Sequence, residues 1–324
     1  MAYKHSVYLK AKEILEKRRA DAEAQQAARR SNALMKCPEI AVIESEMASH
    51  GAEVVRAVGL GGNVQEYVKQ LAKKNLEAQK KRTALLLENG FPEDYLEVKY
   101  TCEICKDTGS HDGYYCRCYK NLIRDVARQQ LKSVAPLDEC TFEKFRVSLY
   151  PDVTDPVIGV SQKSHMMDIL DYCREYSKDF SLKSPSLLLY GKTGLGKTHL
   201  SLAIANVVIN KGYDVYYDSI QAIMDALESE HFGRSSSPQS IKEDILGCDL
   251  LIIDDLGVEF STQYTVAELH SIINTRILRG LPTVISTNLD VKGLETKYTQ
   301  RIASRILGSY IPLYFCGKDI RQIG

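Results

Sequence analysis

Leu187 to Thr198 reads Leu-Leu-Leu-Tyr-Gly-Lys-Thr-Gly-Leu-Gly-Lys-Thr, an apolar run that ends in Gly191 and is followed by Gly194, Gly196, Lys197 and Thr198. That spacing is the spacing of a phosphate-binding loop. Glycines at these places allow a tight turn whose backbone N–H groups point at phosphate oxygens. Lys197 can reach the β- and γ-phosphates, and the Thr198 hydroxyl can hold Mg²⁺. A buried-strand pattern precedes the loop and a helix-like run from His199 through Asn210 follows it, so the context agrees with the pattern. Gly191, Gly194, Gly196, Lys197, Thr198 and His199 are the expected nucleotide-binding residues, and the expected cofactors are ATP and Mg²⁺.

A second group is Leu250-Leu-Ile-Ile-Asp254-Asp255, four apolar residues followed by two carboxylates. Such a run makes a buried central strand, and the C-terminal edge of a parallel sheet is where ligands bind. Asp254 would hold Mg²⁺ through its waters together with Thr198. Asp255 would orient and polarise the attacking water, with a shorter reach than a glutamate and a correspondingly slow turnover. The bland alternative is that both aspartates cap the following segment. A third run, Val284-Ile-Ser-Thr-Asn288, ends in polar residues on the same expected edge. Asn288 could hydrogen-bond the γ-phosphate or the lytic water, although Thr-Asn is also ordinary turn chemistry.

Cysteines form the fourth group. Cys102-Glu-Ile-Cys105 is followed by Cys116-Arg-Cys118, with Asp107, Gly109 and Gly113 between them. A two-residue gap lets two thiolates share one tetrahedral Zn²⁺. The second pair is tighter than usual, and redox-active or merely buried thiols are the alternatives. His111 could replace one thiolate. Cys37, Cys140, Cys173, Cys248 and Cys316 are isolated and read as packing residues.

These groups need two kinds of scaffold. Up to about Leu131 the chain reads as helical, with Val7, Ala11, Ile14 and Leu15 at helical spacing and a solvated run from Ala20 to Arg30. Gly59, Gly61 and Gly62 should break it. A long helix is predicted from Val64 to Glu88, with Tyr67, Val68, Leu71 and Leu76 on one face, closed by Asn89-Gly90 and stopped by Pro92. Residues 136–156 carry Pro136, Pro151 and Pro156 without sustained periodicity and read as a linker. From 157 short apolar strands alternate with helices, the pattern of a parallel sheet. Candidate strands are Ser186–Tyr190, Asp214–Asp218, Asp249–Asp254, Thr283–Thr287 and Ile311–Phe315, and Gly233–Ser240 reads as a mobile loop. The fold class is therefore α/β, a P-loop core over 157–324 preceded by a mostly helical, zinc-stapled domain over 1–135.

Composition narrows the setting. Lys plus Arg and Asp plus Glu number 42 each among 324 residues, so net charge is no argument for nucleic-acid binding and any such contact must be a local patch. Arg234, Lys242, Arg276 and Arg279 are candidate phosphate contacts, each individually better explained as a solvated surface charge. No segment approaches the roughly 20 apolar residues of a membrane span. The N-terminus is charged from Lys4 to Arg19 and lacks the apolar core of a signal peptide, so a cytoplasmic protein with reduced cysteines is expected.

The order of these motifs resembles the AAA+ ATPases. Arg301-Ile-Ala-Ser-Arg305-Ile looks like the segment that carries the arginine finger in that family, and Gly317-Lys-Asp-Ile-Arg321 like the terminal element whose arginine senses phosphate. On that resemblance Arg305, one turn beyond Arg301, is the finger and Arg321 the sensor; without it both finger candidates are surface arginines. More narrowly, Gly191-Lys-Thr-Gly-Leu-Gly-Lys-Thr-His-Leu200, Leu251-Ile-Ile-Asp-Asp-Leu-Gly-Val-Glu259, Ile285-Ser-Thr-Asn288 and the lead-in Thr141-Phe-Glu-Lys-Phe145 resemble the bacterial helicase loaders of the DnaC/DnaI type and the related IstB-type transposition ATPases. The ending shortly after Arg321 leaves no room for the helical lid of many AAA+ proteins, as in that group. The resemblance covers roughly 90–324. It implies an ATPase that loads a hexameric replicative helicase onto single-stranded DNA, that grips the helicase through the zinc-bearing domain, and that self-assembles with ATP. A transposition helper, or an ATP-switched adaptor with little turnover, is the alternative.

Overall fold

The computed structural model describes residues 3, 5–60, 64–233 and 240–320. Gly61, Gly62, Arg234 and Arg321, and the tip of the expected 233–240 loop, lie outside the described residues. In chain order the elements are α1 (His5–Lys36), α2 (Glu39–Leu60), α3 (Val64–Glu88), β1 (Ser110–His111), β2 (Tyr114–Tyr115) and α4 (Arg117–Val134). There follow α5 (Gln162–Lys178), β3 (Ser186–Gly191), α6 (Lys197–Asn210), β4 (Val215–Ser219), α7 (Ile220–His231), α8 (Ile241–Gly247), β5 (Leu250–Leu256), α9 (Gln263–Arg279), β6 (Thr283–Thr287), α10 (Val291–Lys297), α11 (Gln300–Ser309) and β7 (Tyr310–Phe315).

Contacts divide the chain into two units, Lys12–Tyr119 and a second made of Met1–Ala11 with Lys120–Gly324. The division near 119 differs from the expected boundary at 135. The expected linker over 136–156 is also different in kind, because Leu137, Phe142, Phe145 and Tyr150 are buried in the core of the second unit.

In the first unit, Ala33, Cys37, Ile40, Leu86, Phe91 and Leu96 form the apolar cluster. The end of α3 falls where Asn89-Gly90 predicts it. Gly90 takes φ 77°, Phe91 N donates to Leu86 O and Gly90 N to Leu87 O, while Phe91 packs with Leu86. That is the double bond and apolar contact of a Schellman end. Leu71 is buried on α3, but Leu76 is 53% exposed and does not share its burial. Gly59 lies inside α2 and does not break it. The run 20–30 is mostly exposed, as read from its composition, yet Gln26 donates to Leu96 O and Arg29 to Tyr95 O and Glu97 O, holding 95–97 against α1.

The second unit is built on a five-stranded parallel sheet in the order β4-β5-β6-β3-β7. Alternate strand residues point to opposite faces. Leu187, Leu189, Leu250, Ile252 and Val284 join one core cluster with α5 and α6, whereas Leu188, Leu251, Ile253 and Ile285 join another with α7, α9 and α11. A sheet covered on both faces explains why these strands read as unbroken apolar runs. All five strands were legible in the sequence, with ends shifted by one or two residues. β7 is an edge strand, and Pro312 sits in it because the missing N–H can face outward there. Among the described residues no helix is long and apolar enough to cross a membrane.

Candidate nucleotide site and cysteine cluster

β6 lies between β3, which feeds the glycine-rich loop, and β5, which carries the aspartates. This order brings the three sequence groups to one sheet edge. The loop needs its glycines: Gly194 and Gly196 have φ 75° and 81°, and a Cβ on Gly194 would stand 1.8 Å from Asp319 Oδ1. α6 then starts at Lys197, so the unpaired N–H groups of its first turn face the loop.

Lys197 is 5% exposed, and its Nζ donates to Gly191 O (2.9 Å), Lys192 O (2.7 Å) and Asn288 Oδ1 (2.7 Å). Thr198 Oγ1 lies 3.1 and 2.9 Å from the two oxygens of the buried Asp254 carboxylate. Two more hydroxyls, neither singled out by the sequence, complete this carboxylate. Ser286 Oγ donates to Asp254 Oδ1 and accepts from Asp255 N at 2.9 Å, while Tyr217 OH donates to Asp254 Oδ2 at 3.0 Å. Burial and the Asp254 charge beside it push the Tyr217 phenol well above its ordinary pKa, so it stays a donor. Tyr217 sits on β4 next to β5 and could have been found only by assuming the strand order; Ser286 lay in plain view within Ile285-Ser-Thr-Asn288.

Asp255 takes φ 54°, where the register of β5 against β6 shifts between Ile253 and Leu256. Asp254 enters the hydroxyl cluster while Asp255 lines the cleft, and the irregular register marks where the strand leaves its partner. The cleft has a volume of about 300 Å³ and is lined by the loop, Lys197, Thr198, Asp255 and Asn288, with Cys140 and Ile320 at its side. Cys140 packs half-buried against the core and also borders the cleft, while Cys37, Cys173, Cys248 and Cys316 are buried as expected.

The lead-in segment braces the loop from behind. Tyr150 OH donates to Leu195 O (2.7 Å), Phe145 stacks on Tyr150, and a Cβ on Gly196 would meet Phe145 at 2.6 Å. His199 lines the cleft, and its Nε2 meets Thr141 O at 2.7 Å. On the other side Ile320 N donates to Gly194 O (3.0 Å). Arg301 and Arg305 lie on α11, the first exposed and the second half-buried, and neither lines this cleft.

Arg276 is a correction to the expected phosphate contacts. It is fully buried, and its guanidinium donates to Thr283 Oγ1, Ile245 O, Cys248 O and Pro282 O at 2.7–3.0 Å. A five-donor fork suits such a cluster of carbonyls, and no part of it reaches solvent. Arg279 donates to Leu246 O and Lys242 pairs with Glu268 at 2.7 Å, so both are partly committed.

In the other unit the sulfurs of Cys102, Cys105, Cys116 and Cys118 all lie within 4.8 Å of one another, with Cys102 to Cys116 at 3.8 Å and Cys105 to Cys118 at 3.3 Å. A tetrahedron with Zn–S near 2.3 Å has edges of about 3.8 Å, so this group fits the ion. Local backbone explains the fit. Asp107, at φ 56° and buried, accepts from Thr101 N and Cys102 N, and the Asp112-Gly113 turn, with both φ positive, closes the β1–β2 hairpin that returns Cys116 to the knuckle. The Cys105 backbone N–H holds the Cys102 thiol down to about 7, whereas burial pushes Cys118 up. A cation would relieve that crowding. His111 pairs with Asp112 at 3.0 Å and stands outside the four-sulfur group.

Comparison with known proteins places this core. Residues 174–307 match the family model described as IstB-like ATP binding protein. The replicative helicase loader DnaC of Escherichia coli (strain K12) is 27% identical over 184 residues, 56% of this chain and 69% of the relative. DnaC of Buchnera aphidicola subsp. Acyrthosiphon pisum is 28% identical over 156 residues, 48% of this chain and 63% of that protein. The crystal structure of the DnaC helicase loader matches with a TM-score of 0.47 at 18% identity, covering 56% of this chain and all of that one.

Proposed function

We propose, from the premise that this chain carries an IstB-like ATP-binding domain homologous to the DnaC helicase loaders, that it is an ATP-dependent loader of the replicative helicase. The observation that carries this reading is the homology with DnaC over 184 residues, beside a family match over 174–307 that takes in Gly191–Thr198, Asp254, Asp255 and Asn288. The geometry agrees with ATP hydrolysis. Lys197, donating to carbonyl and amide oxygens at the cleft, is placed to transfer those donors to the β- and γ-phosphates. Thr198 and Asp254 form the hard oxygen pair that Mg²⁺ prefers, and the ion would supply charge neutralisation on the phosphates. Asp255 orients the water, and Asn288 reads the γ-phosphate from the neighbouring strand. Arg305 acts as the finger from an adjoining copy, and Arg321 as the sensor.

In this reading the unit over Lys12–Tyr119 holds Zn²⁺ on Cys102, Cys105, Cys116 and Cys118 and grips the helicase hexamer. Single-stranded DNA is the second partner, the copies assemble with ATP, and the site of action is the cytoplasm. The mechanical outcome is a placed ring, for which slow, contact-timed hydrolysis suffices. The family description also fits a transposition helper, and the four-cysteine knuckle favours the loader.

Native mass spectrometry of the protein with its own organism's replicative helicase, with and without ATP, tests the reading. A complex near one loader per helicase subunit is the expected result. No complex under either condition overturns the loader assignment and leaves the ATP site to the alternative.

A further inference from the structure

Glu259 closes the sequence stretch Leu251–Glu259, and nothing in the nucleotide chemistry uses it. It is 4% exposed, an expensive place for a carboxylate unless its oxygens are satisfied. Both are. Oε2 accepts from Gly257 N at 2.9 Å, Oε1 accepts from Tyr298 OH, and Lys297 Nζ stands 4.0 Å away. Lys297 Nζ in turn donates to Gly257 O and, at 3.0 Å, to Glu259 O. The peptide groups of Gly257 are thus clamped on both sides, N–H by Glu259 and carbonyl by Lys297.

That glycine has φ 113°, and a Cβ on it would meet Leu289 Cδ1 at 2.7 Å, so its conformation and close packing are specified together. Two residues earlier is Asp255, in the left-handed region at φ 54°, with Val258 N donating to Asp255 O at 3.2 Å to close the turn. A non-glycine residue holds such a conformation only when its surroundings over-determine it. Ser286 Oγ holds the Asp255 N–H from β6, and the rest of the turn is held from one corner: Tyr298 is the C-cap of α10 and Thr299 the N-cap of α11, so Lys297 and Tyr298 lie between those helices. The same corner reaches the surface, where Thr299 and the exposed Arg301 line an open groove with Thr262 and Gln263.

We infer that Glu259 is a positioning residue for Asp255, a buried latch tying the strained turn beyond the aspartate pair to the α10–α11 corner. Movement of that corner is delivered to Asp255 through Gly257, without passing through the phosphate loop. The inference rests on the proposed ATP hydrolysis, in which Asp255 orients the water.

The test is steady-state hydrolysis and equilibrium ATP binding by full-length Glu259→Gln and Tyr298→Phe beside the wild type. Misplacing a reacting group by an ångström costs up to roughly a hundredfold in rate, so Glu259→Gln is expected to lower kcat tenfold or more with ATP affinity within about twofold. Tyr298→Phe, which keeps its shape, is expected to show a smaller loss of the same kind and decides the matter if Glu259→Gln does not fold. Wild-type kcat in the folded variants overturns the inference, and so does a parallel loss of ATP affinity, which would mark collapse of the cleft. A wild type that binds ATP and turns none over defeats the hydrolysis reading itself, and the inference with it.

Discussion

Lys197 Nζ donates to Asn288 Oδ1 across 2.7 Å, joining the first residue of α6 to the residue just beyond β6. The contact exists because β6 runs between β3 and β5, so the end of β6 opens beside the phosphate loop. In the proposed reaction a lysine at a helix start and an amide just beyond a strand would address the same phosphate.

The two residues should separate in experiment. Lys197→Ala removes a charged donor and should cost roughly tenfold to a hundredfold in ATP affinity, read by fluorescent-nucleotide titration. Asn288→Ala should leave affinity within a few-fold and lower turnover. Equal effects on affinity and rate from both would reject the division of roles.

Arg305→Ala is expected to bind ATP normally and to lose hydrolysis stimulated by single-stranded DNA or by assembly, because Arg305 lies on α11 and does not line its own cleft. Mixing the variant with Lys197→Ala protein should restore part of the rate. Unchanged stimulation in Arg305→Ala alone would sink the finger assignment.

Metal removal should act locally. A strong chelator, or Cys102→Ser with Cys105→Ser, should release one zinc per chain and unfold the knuckle, whose β1 and β2 have only two residues each. ATP affinity should be kept, and helicase binding lost. A mass spectrum of the untreated chain without zinc rejects the site.

Arg276→Leu leaves three carbonyls and the Thr283 hydroxyl without their donor in a fully buried place. The expected loss is about 3 kcal/mol or more, with a fall in Tm of about 6–12 °C by calorimetry. Arg276→Lys should recover only part of it, since one ammonium cannot span the four acceptors. Weakened DNA binding with unchanged stability would restore Arg276 as a phosphate contact.

The parts of this molecule that could be read from the chain are those governed by local pattern. Apolar runs announced the five strands, Asn89-Gly90 announced the end of α3, and the glycine-rich loop, Asp254 and Asn288 announced one edge of the sheet. What could not be read depends on strand order and on distant packing. Tyr217 serves Asp254 only because β4 pairs with β5, and Arg276 left the surface only because α9 packs its last turn against the start of β6. The lead-in residues 136–156 misled for a related reason: prolines broke the periodicity, yet Phe142, Phe145 and Tyr150 supply core without needing a regular element.

Pro312 has a consequence at the scale of many molecules. An outer strand with a full row of amide donors is a template on which a second sheet can grow, and a proline in its middle removes one rung of that template. Of the sheet's two outer strands β7 is the guarded one, a poor place for strands of two copies to zip together, whereas β4 carries no proline.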